Sequence, residues 1–317
     1  MTTPPWDAEL EAARAEMREF LALFPTLDEE YPADPLERAA VMREGIQRLA
    51  PFEPVPTAEV ATVPGPAGDI GVRIHRPDGP ARSVIVHLHG GGWVVGDPVM
   101  NDRANAADAE AGHAVVSVDY RLAPEHPWPA GPDDCEAVAR WVLEHGPELF
   151  GSDRLVLAGE SAGAHLAAVT ALRLFASGDA DPTRLVGVDL VYGVHDLTGT
   201  PSWTDDPRRP DVLTGETMHW FVEAFTPGWT VEERRRPDVS PLWADWRGFR
   251  PAVRLSVGTG DHLYCDTAFL AARLVADGVD HTYEVYPDAP HAFQLFGTRM
   301  AAVWVERRRR WLEEVTA

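Results

Sequence analysis

Ser161 lies in Gly159-Glu160-Ser161-Ala162-Gly163, between the apolar run Leu155-Val156-Leu157-Ala158 and an Ala- and Leu-rich stretch from Ala164 to about Phe175. The first stretch reads as a strand and the second as a helix. The serine therefore falls on a tight strand-to-helix turn, with Oγ pushed outward and a helix N-terminus behind it. Glycines on both sides let such a turn close against its neighbours, because they carry no Cβ. A hydroxyl presented this way is a candidate nucleophile for acyl transfer; a serine that only caps a helix is the plain alternative. Gly-x-Ser-x-Gly alone is a weak pattern, so the other residues decide.

Upstream, Val84-Ile85-Val86-His87-Leu88 reads as a buried strand and runs directly into His89-Gly90-Gly91-Gly92-Trp93. Consecutive glycines leave backbone N–H groups free to point at a ligand, which an oxyanion hole requires. A phosphate-binding loop would need Gly-x-x-x-x-Gly-Lys-Ser/Thr or Gly-x-Gly-x-x-Gly, and neither spacing occurs here. The N–H groups of Gly91, Gly92 and Ala162 are the expected donors to a developing oxyanion.

A serine nucleophile needs a histidine base and a carboxylate that orients it. Downstream of the serine, the strand Ala252–Val257 runs into Gly258-Thr259-Gly260-Asp261, and the short strand Tyr283–Tyr286 runs into Pro287-Asp288-Ala289-Pro290-His291. Asp261 and His291 both fall at C-terminal strand ends, the rim on which Ser161 is expected. Asp266 and Asp288 compete as the acid, and His262 and His281 as the base. Asp266 comes more than a helical turn later and Asp288 is in the histidine loop itself. His281 begins a strand and His262 merely neighbours the acid. Asp261 and His291 are therefore preferred.

Together these residues carry a family resemblance. His89 to Trp93, Asp119-Tyr120-Arg121-Leu122-Ala123-Pro124-Glu125-His126-Pro127, Gly159 to Gly163, Ser240-Pro241-Leu242, Gly258 to Asp261 and His291-Ala292-Phe293 resemble the hormone-sensitive-lipase family of α/β-hydrolases. The resemblance spans roughly residues 55 to 317. It implies a carboxylesterase acting on small-molecule esters, with Ser161, Asp261 and His291 as a triad and no cofactor. Two positions depart from the family pattern and bear on substrate preference: His262-Leu263-Tyr264-Cys265-Asp266 stands where Pro-Leu-Arg-Asp is more frequent, and Ala292 where glycine is usual. Lactone or amide hydrolysis, or acyl transfer to another alcohol, would use the same triad. A non-catalytic ligand-binding protein on a hydrolase fold is a further alternative, and the intact triad speaks against it.

The elements that must position these residues alternate. Candidate strands Gly71–Arg76, Ser83–Leu88, Ala114–Tyr120, Arg154–Ala158, Gly187–Tyr192, Ala252–Val257 and His281–Tyr286 are interleaved with helices at Asp133–Glu144, Ala164–Phe175 and Cys265–Asp277. That order implies an α/β-hydrolase domain, 51–317, built on a mostly parallel sheet. Ahead of it, Trp6, Leu10, Ala13, Met17, Phe20 or Leu21, and Phe24 recur at helical spacing, and a second helix is expected from Pro35 to Leu49. The resemblance implies that residues 1–50 form a helical cap over the site, with a purely structural brace as the alternative. Asp196 to about Asp238 reads as a second insertion, rich in Pro, Trp and charge, whose helix Met218 to Phe225 would close the pocket. Trp93, Trp220 and Phe221 are candidates for the pocket wall. Pro51 to Pro66 reads as a linker. The Tyr120 to His126 segment reads as a structural tie for the glycine loop, and His87 and His126 as satisfied core or loop histidines.

Composition fits this picture. The formal net charge of −22 argues against nucleic acid and anionic membrane surfaces as partners. All 28 basic residues are arginine. The run Arg307 to Arg310, balanced by Glu306, Glu313 and Glu314, reads as a solvated helix face. No Cys/His or His/Glu cluster has metal-ligand spacing, so no metal is expected. Two cysteines cannot make a disulfide framework, the N-terminus has no signal-peptide pattern and no apolar run reaches membrane-spanning length. A cytoplasmic setting is expected, and a homodimer is open.

Overall fold

A computed structural model describes residues 7–23, 31–49, 52–177, 184–203 and 213–317. Trp6 and Phe24 of the first amphipathic face, Pro51, and 204–212 of the expected insertion lie outside these residues. The strands are β1 (Glu59–Gly65), β2 (Gly68–His75), β3 (Val84–Leu88), β4 (Ala114–Asp119), β5 (Leu155–Glu160), β6 (Leu185–Val191), β7 (Ala252–Gly258) and β8 (His281–Tyr286). They form one sheet in the order β1-β2-β4-β3-β5-β6-β7-β8. The β1–β2 and β2–β4 pairs are antiparallel and the rest parallel.

The helices are α1 (Ala8–Leu21), α2 (Pro35–Leu49), α3 (Asp102–Glu110), α4 (Ala130–Phe150), α5 (Ala162–Ser177), α6 (Gly215–Phe225), α7 (Val231–Arg234), α8 (Tyr264–Asp277) and α9 (Arg299–Val315). Side chains alternate across a strand, so one strand feeds two cores. Val84, Val86, Leu155 and Leu157 join a cluster with Val138, Val142, Ala167 and Leu174 of α4 and α5. Ile85, Val115, Val156 and Ala158 face the other way, onto Trp311 and Leu312 of α9. Helices on both faces explain why the central strands are apolar throughout rather than alternating.

Two elements depart from the sequence reading. The expected linker contains β1, an edge strand in which Val63 is fully buried while Val60 is 74% exposed. With so little apolar surface to bury, and with Pro64 in the strand, it carries no strong pattern. Helix α3 was not anticipated because its buried residues are Asp102, Asn105 and Ala109, which make no apolar stripe.

Helix α1 starts at Asp7, whose Oδ1 accepts from the Leu10 N–H at 2.9 Å. Its stripe of Leu10, Ala13 and Met17 is buried with Tyr192, Tyr286, Ala289, Phe293, Met300 and Trp304. Helix α2 packs elsewhere, placing Ala39, Met42 and Ile46 against the larger core.

Arg308, inside the run read as a solvated face, turns inward. Its guanidinium donates to Asp189 at 2.7 Å and to Asp108 at 2.7 Å. Arg254 of β7, fully buried, donates to the other Asp189 oxygen at 2.9 Å and to Glu284 at 2.6 Å. The Trp304 ring lies within 5.2 Å of the Arg254 guanidinium and 5.8 Å of that of Arg308. This network ties α9 to β6, β7 and α3. Asp189→Leu takes one of its two carboxylate partners from each of two guanidiniums, so unfolding free energy should fall by about 1.5–3 kcal/mol. A lower urea midpoint at unchanged slope checks this. A shift no larger than that of Asp245→Ala, which breaks the exposed pair with Arg247, would show the network to be energetically idle.

Candidate active site

Ser161 occupies the single residue between β5 and α5 with φ of 56°, a left-handed conformation that an L-residue adopts only where the surroundings impose it. Its N–H donates to Val191 O at 2.9 Å. A Cβ on Gly159 would stand 2.4 Å from the Gly163 backbone, and one on Gly163 would stand 1.9 Å from Leu88 O. Only glycine fits either position.

His291 lies in the loop after β8 and faces both partners. Its Nε2 is 3.1 Å from Ser161 Oγ, and its Nδ1 is 3.1 and 3.0 Å from the two Asp261 oxygens. Asp261, 1% exposed, also accepts from the Leu263 N–H at 2.8 Å. A carboxylate only accepts, so Nδ1 carries the proton and Nε2 presents its lone pair to the serine hydroxyl.

The rival residues are engaged elsewhere. Asp266 accepts from the His195 and Asp196 N–H groups, Thr200 Oγ1 and Trp203 Nε1 at 2.9, 3.1, 2.7 and 2.8 Å. Burial pushes its carboxyl up to about 6 against the pull of those four donors. Asp288 is held by Arg14 and Arg18. His281 donates from Nδ1 to Val279 O at 2.9 Å.

The glycine loop after β3 folds over the serine turn. Gly91 and Gly92 have φ of 118° and 59°, and a Cβ on Gly91 would stand 2.1 Å from Val95 O. Gly91 O accepts from the Val94 and Val95 N–H groups at 3.1 and 2.9 Å. Among the described residues, the N–H groups of Gly91, Gly92 and Ala162 donate to no protein acceptor. Backbone N–H groups left free on a loop and at a helix start are the kind of donor an oxyanion hole uses.

The Tyr120 segment does tie this loop down. Tyr120 stacks on His89 with centroids 4.3 Å apart and donates to His89 O at 2.7 Å, while the Ala123 N–H donates to Trp93 O at 2.9 Å. His89 donates from Nδ1 to Gly90 O at 2.7 Å, and burial lowers it to about 4, so it stays neutral. His87 is buried between Ser117 and Glu160 at 3.1 Å from each, whereas His126 is exposed.

Of the expected wall residues, Phe221 lies directly over the loop: a Cβ on Gly92 would stand 2.3 Å from its ring. Trp220 is half-buried beneath the Arg38 guanidinium, 4.6 Å from the ring centre. Trp93 is 1% exposed, stacked on Phe225 at 4.5 Å and donating from Nε1 to His165 Nδ1 at 3.1 Å. It backs the glycine loop from within the core.

Sequence reasoning missed Tyr192. It has φ of 37°, takes a hydrogen bond from Gln294 Nε2, and its ring centre lies 4.5 Å from that of His291. In the sequence it is only the last residue of an apolar strand, and nothing there signals its contact across the sheet.

The sequence profile of a family described as alpha/beta hydrolase fold matches residues 85–295. Carboxylesterase NlhH of Mycobacterium tuberculosis is 38% identical over 242 residues, 72% of each chain. Acetyl esterase of Salmonella choleraesuis is 28% identical over 249 residues, 78% of this chain and 76% of its own. Among solved structures, an esterase of Pyrobaculum calidifontis superposes with a TM-score of 0.82 at 28% identity, covering 95% of this chain and 97% of that one.

The two buried aspartates should respond differently. Asp261→Asn removes the acceptor that fixes the imidazole tautomer, and kcat for ester hydrolysis should fall by about 10⁴-fold with the fold intact. Asp266→Asn turns one oxygen into a donor facing donors, and should cost about 1–3 kcal/mol of stability with kcat per folded molecule near wild type. A larger kcat loss at Asp266 than at Asp261 would reverse the assignment.

Proposed function

The chain belongs to the alpha/beta-hydrolase family, and we propose that it is a serine carboxylesterase in which Ser161, His291 and Asp261 form the triad. The observation that carries this is the continuous line from Asp261 through His291 to Ser161 Oγ; the uncommitted N–H groups of Gly91, Gly92 and Ala162 support it. His291 Nε2 takes the Ser161 proton as Oγ attacks the ester carbonyl. The oxyanion collects N–H bonds from Gly91, Gly92 and Ala162, each worth about 3–4 kcal/mol of barrier. The imidazolium, stabilised by Asp261, returns its proton to the leaving alcohol. Water then attacks the acyl-enzyme with His291 again as base, and the carboxylic acid leaves.

Short to medium acyl chains fit this site best. The Phe221 ring covers Gly92 and Trp220 stands beside it, so apolar contact is at hand but depth is limited. An acetyl esterase among the relatives supports the same range. The helices of residues 1–50 and the insertion at 196–238 make up the cap in this reading, and 51–317 the catalytic domain. A cytoplasmic setting is supported by two free cysteines, Cys135 and Cys265. No helix among the described residues is long and apolar enough to cross a membrane. A homodimer belongs to the same reading, β8 being an outer strand with Tyr283 exposed.

Ser161→Ala should lower kcat by about 10⁵-fold and leave the thermal midpoint nearly unchanged; retention of most activity would remove this reading. Across p-nitrophenyl esters, kcat/KM should rise from acetyl to butyryl or hexanoyl, at most about fourfold per buried methylene, and then fall. A preference for palmitoyl over butyryl would show a long channel instead.

A further inference from the structure

We propose that the two N-terminal helices are positioning devices, each gripping one loop of the site with arginine. The proposal rests on the triad reading above. Asp288 and Ala292, on either side of His291, have φ of 57° and 62°. Non-glycine residues persist there only when neighbours over-determine the backbone.

Part of that hold comes from within the domain. Thr259 Oγ1 accepts from the Asp288 N–H at 2.8 Å, and Ala289 O accepts from the Gly260 N–H at 3.0 Å. The rest comes from α1. Arg14 Nε and Arg18 Nε donate to Asp288 Oδ2 at 2.8 and 2.5 Å, and the stripe below them packs on Ala289 and Phe293.

Helix α2 does the same for the oxyanion loop. Arg43 Nε donates to Val94 O at 2.9 Å, two residues past Gly92. Its other nitrogens donate to Ala123 O at 3.1 Å and to Glu125 at 2.7 and 2.8 Å. Ala123 in turn holds Trp93 O. One planar fork thus spans the glycine loop and the turn that supports it, which a lysine cannot do.

Both clamps are partly exposed, with side chains 29% and 27% accessible for Arg14 and Asp288, and 32% and 39% for Arg43 and Glu125. Such pairs add little to global stability. Their effect is on geometry, since displacement of a reacting group by an ångström costs about a hundredfold in rate. Neither helix needs to touch substrate for this.

The test uses the full chain with Arg14→Met/Arg18→Met, Arg43→Met and Asp288→Asn, assayed on p-nitrophenyl butyrate and titrated with a p-nitrophenyl phosphonate. In both methionine variants kcat should fall about 10- to 100-fold, with KM within about twofold and the active-site titre complete. Thermal midpoints should move by no more than about 2 °C. Asp288→Asn keeps one acceptor and should lose less, and adding it to the Arg14/Arg18 variant should cost nothing more. Should a methionine variant fail to fold, Arg14→Lys/Arg18→Lys and Arg43→Lys keep the charge without the fork and read the same kcat-to-KM split. Unchanged kcat per titrated site, or a titre that falls in step with the thermal midpoint, would overturn the proposal. Activity surviving in Ser161→Ala would instead overturn the triad reading, independently of the clamps.

Discussion

A hydrogen atom is all that fits where the turn after Ser161 meets the end of β3 and where β7 meets the loop that carries His291. A methyl group on Gly163 would stand 1.9 Å from Leu88 O, and one on Gly258 would stand 1.9 Å from Ala289 O. These two contacts bring the ends of β3, β5 and β7 and the loop after β8 into one cluster. Everything else follows from that proximity. Ser161 Oγ comes within reach of His291, the glycine loop lies against the Ser161 turn at Gly90, and the parallel sheet supplies rigid ends to which the loops are pinned. Backbone strain is drawn to the same place: the non-glycine residues with positive φ among those described are Trp93, Ser161, Tyr192, Asp288 and Ala292.

The proposed chemistry was legible because it needs particular residue types at strand ends. Ser161, Asp261 and His291 each follow a recognisable apolar run, and the glycine loop follows another, so order along the chain nearly dictates the meeting point. The central strands were legible for a related reason, since burial on both faces leaves no polar residue to blur them. What escaped was whatever depends on a distant partner. β1 buries little, α3 has no apolar stripe, and Arg308 reads like its exposed neighbours until Asp189 and Asp108 are placed beside it. Tyr192 and Arg43 are ordinary residues in the sequence and acquire meaning only through His291 and Val94.

The N-terminal helices, a cap in the proposed reading, pack beside two loops of the site. From the sequence they are two amphipathic faces in search of a surface. In the fold α1 lies on the histidine loop and α9, while α2 lies on the loop that carries the glycines. Helix α6 lies against the glycines themselves, its Phe221 occupying the space a side chain at Gly92 would need.

The strongly basic side chains of this protein are all guanidiniums, since all 28 lysine-or-arginine positions are arginine. The grips on Asp288, Glu125 and Asp189 therefore keep their charge at any alkalinity the fold itself survives, because arginine does not deprotonate there. The same fact makes the interior of the chain blind to amine chemistry. Acylating labels and aldehyde cross-linkers find no lysine in it to modify, so these grips pass through such reagents untouched. A single lysine introduced at a chosen surface position would become a unique internal handle for attaching the enzyme to a support in one orientation.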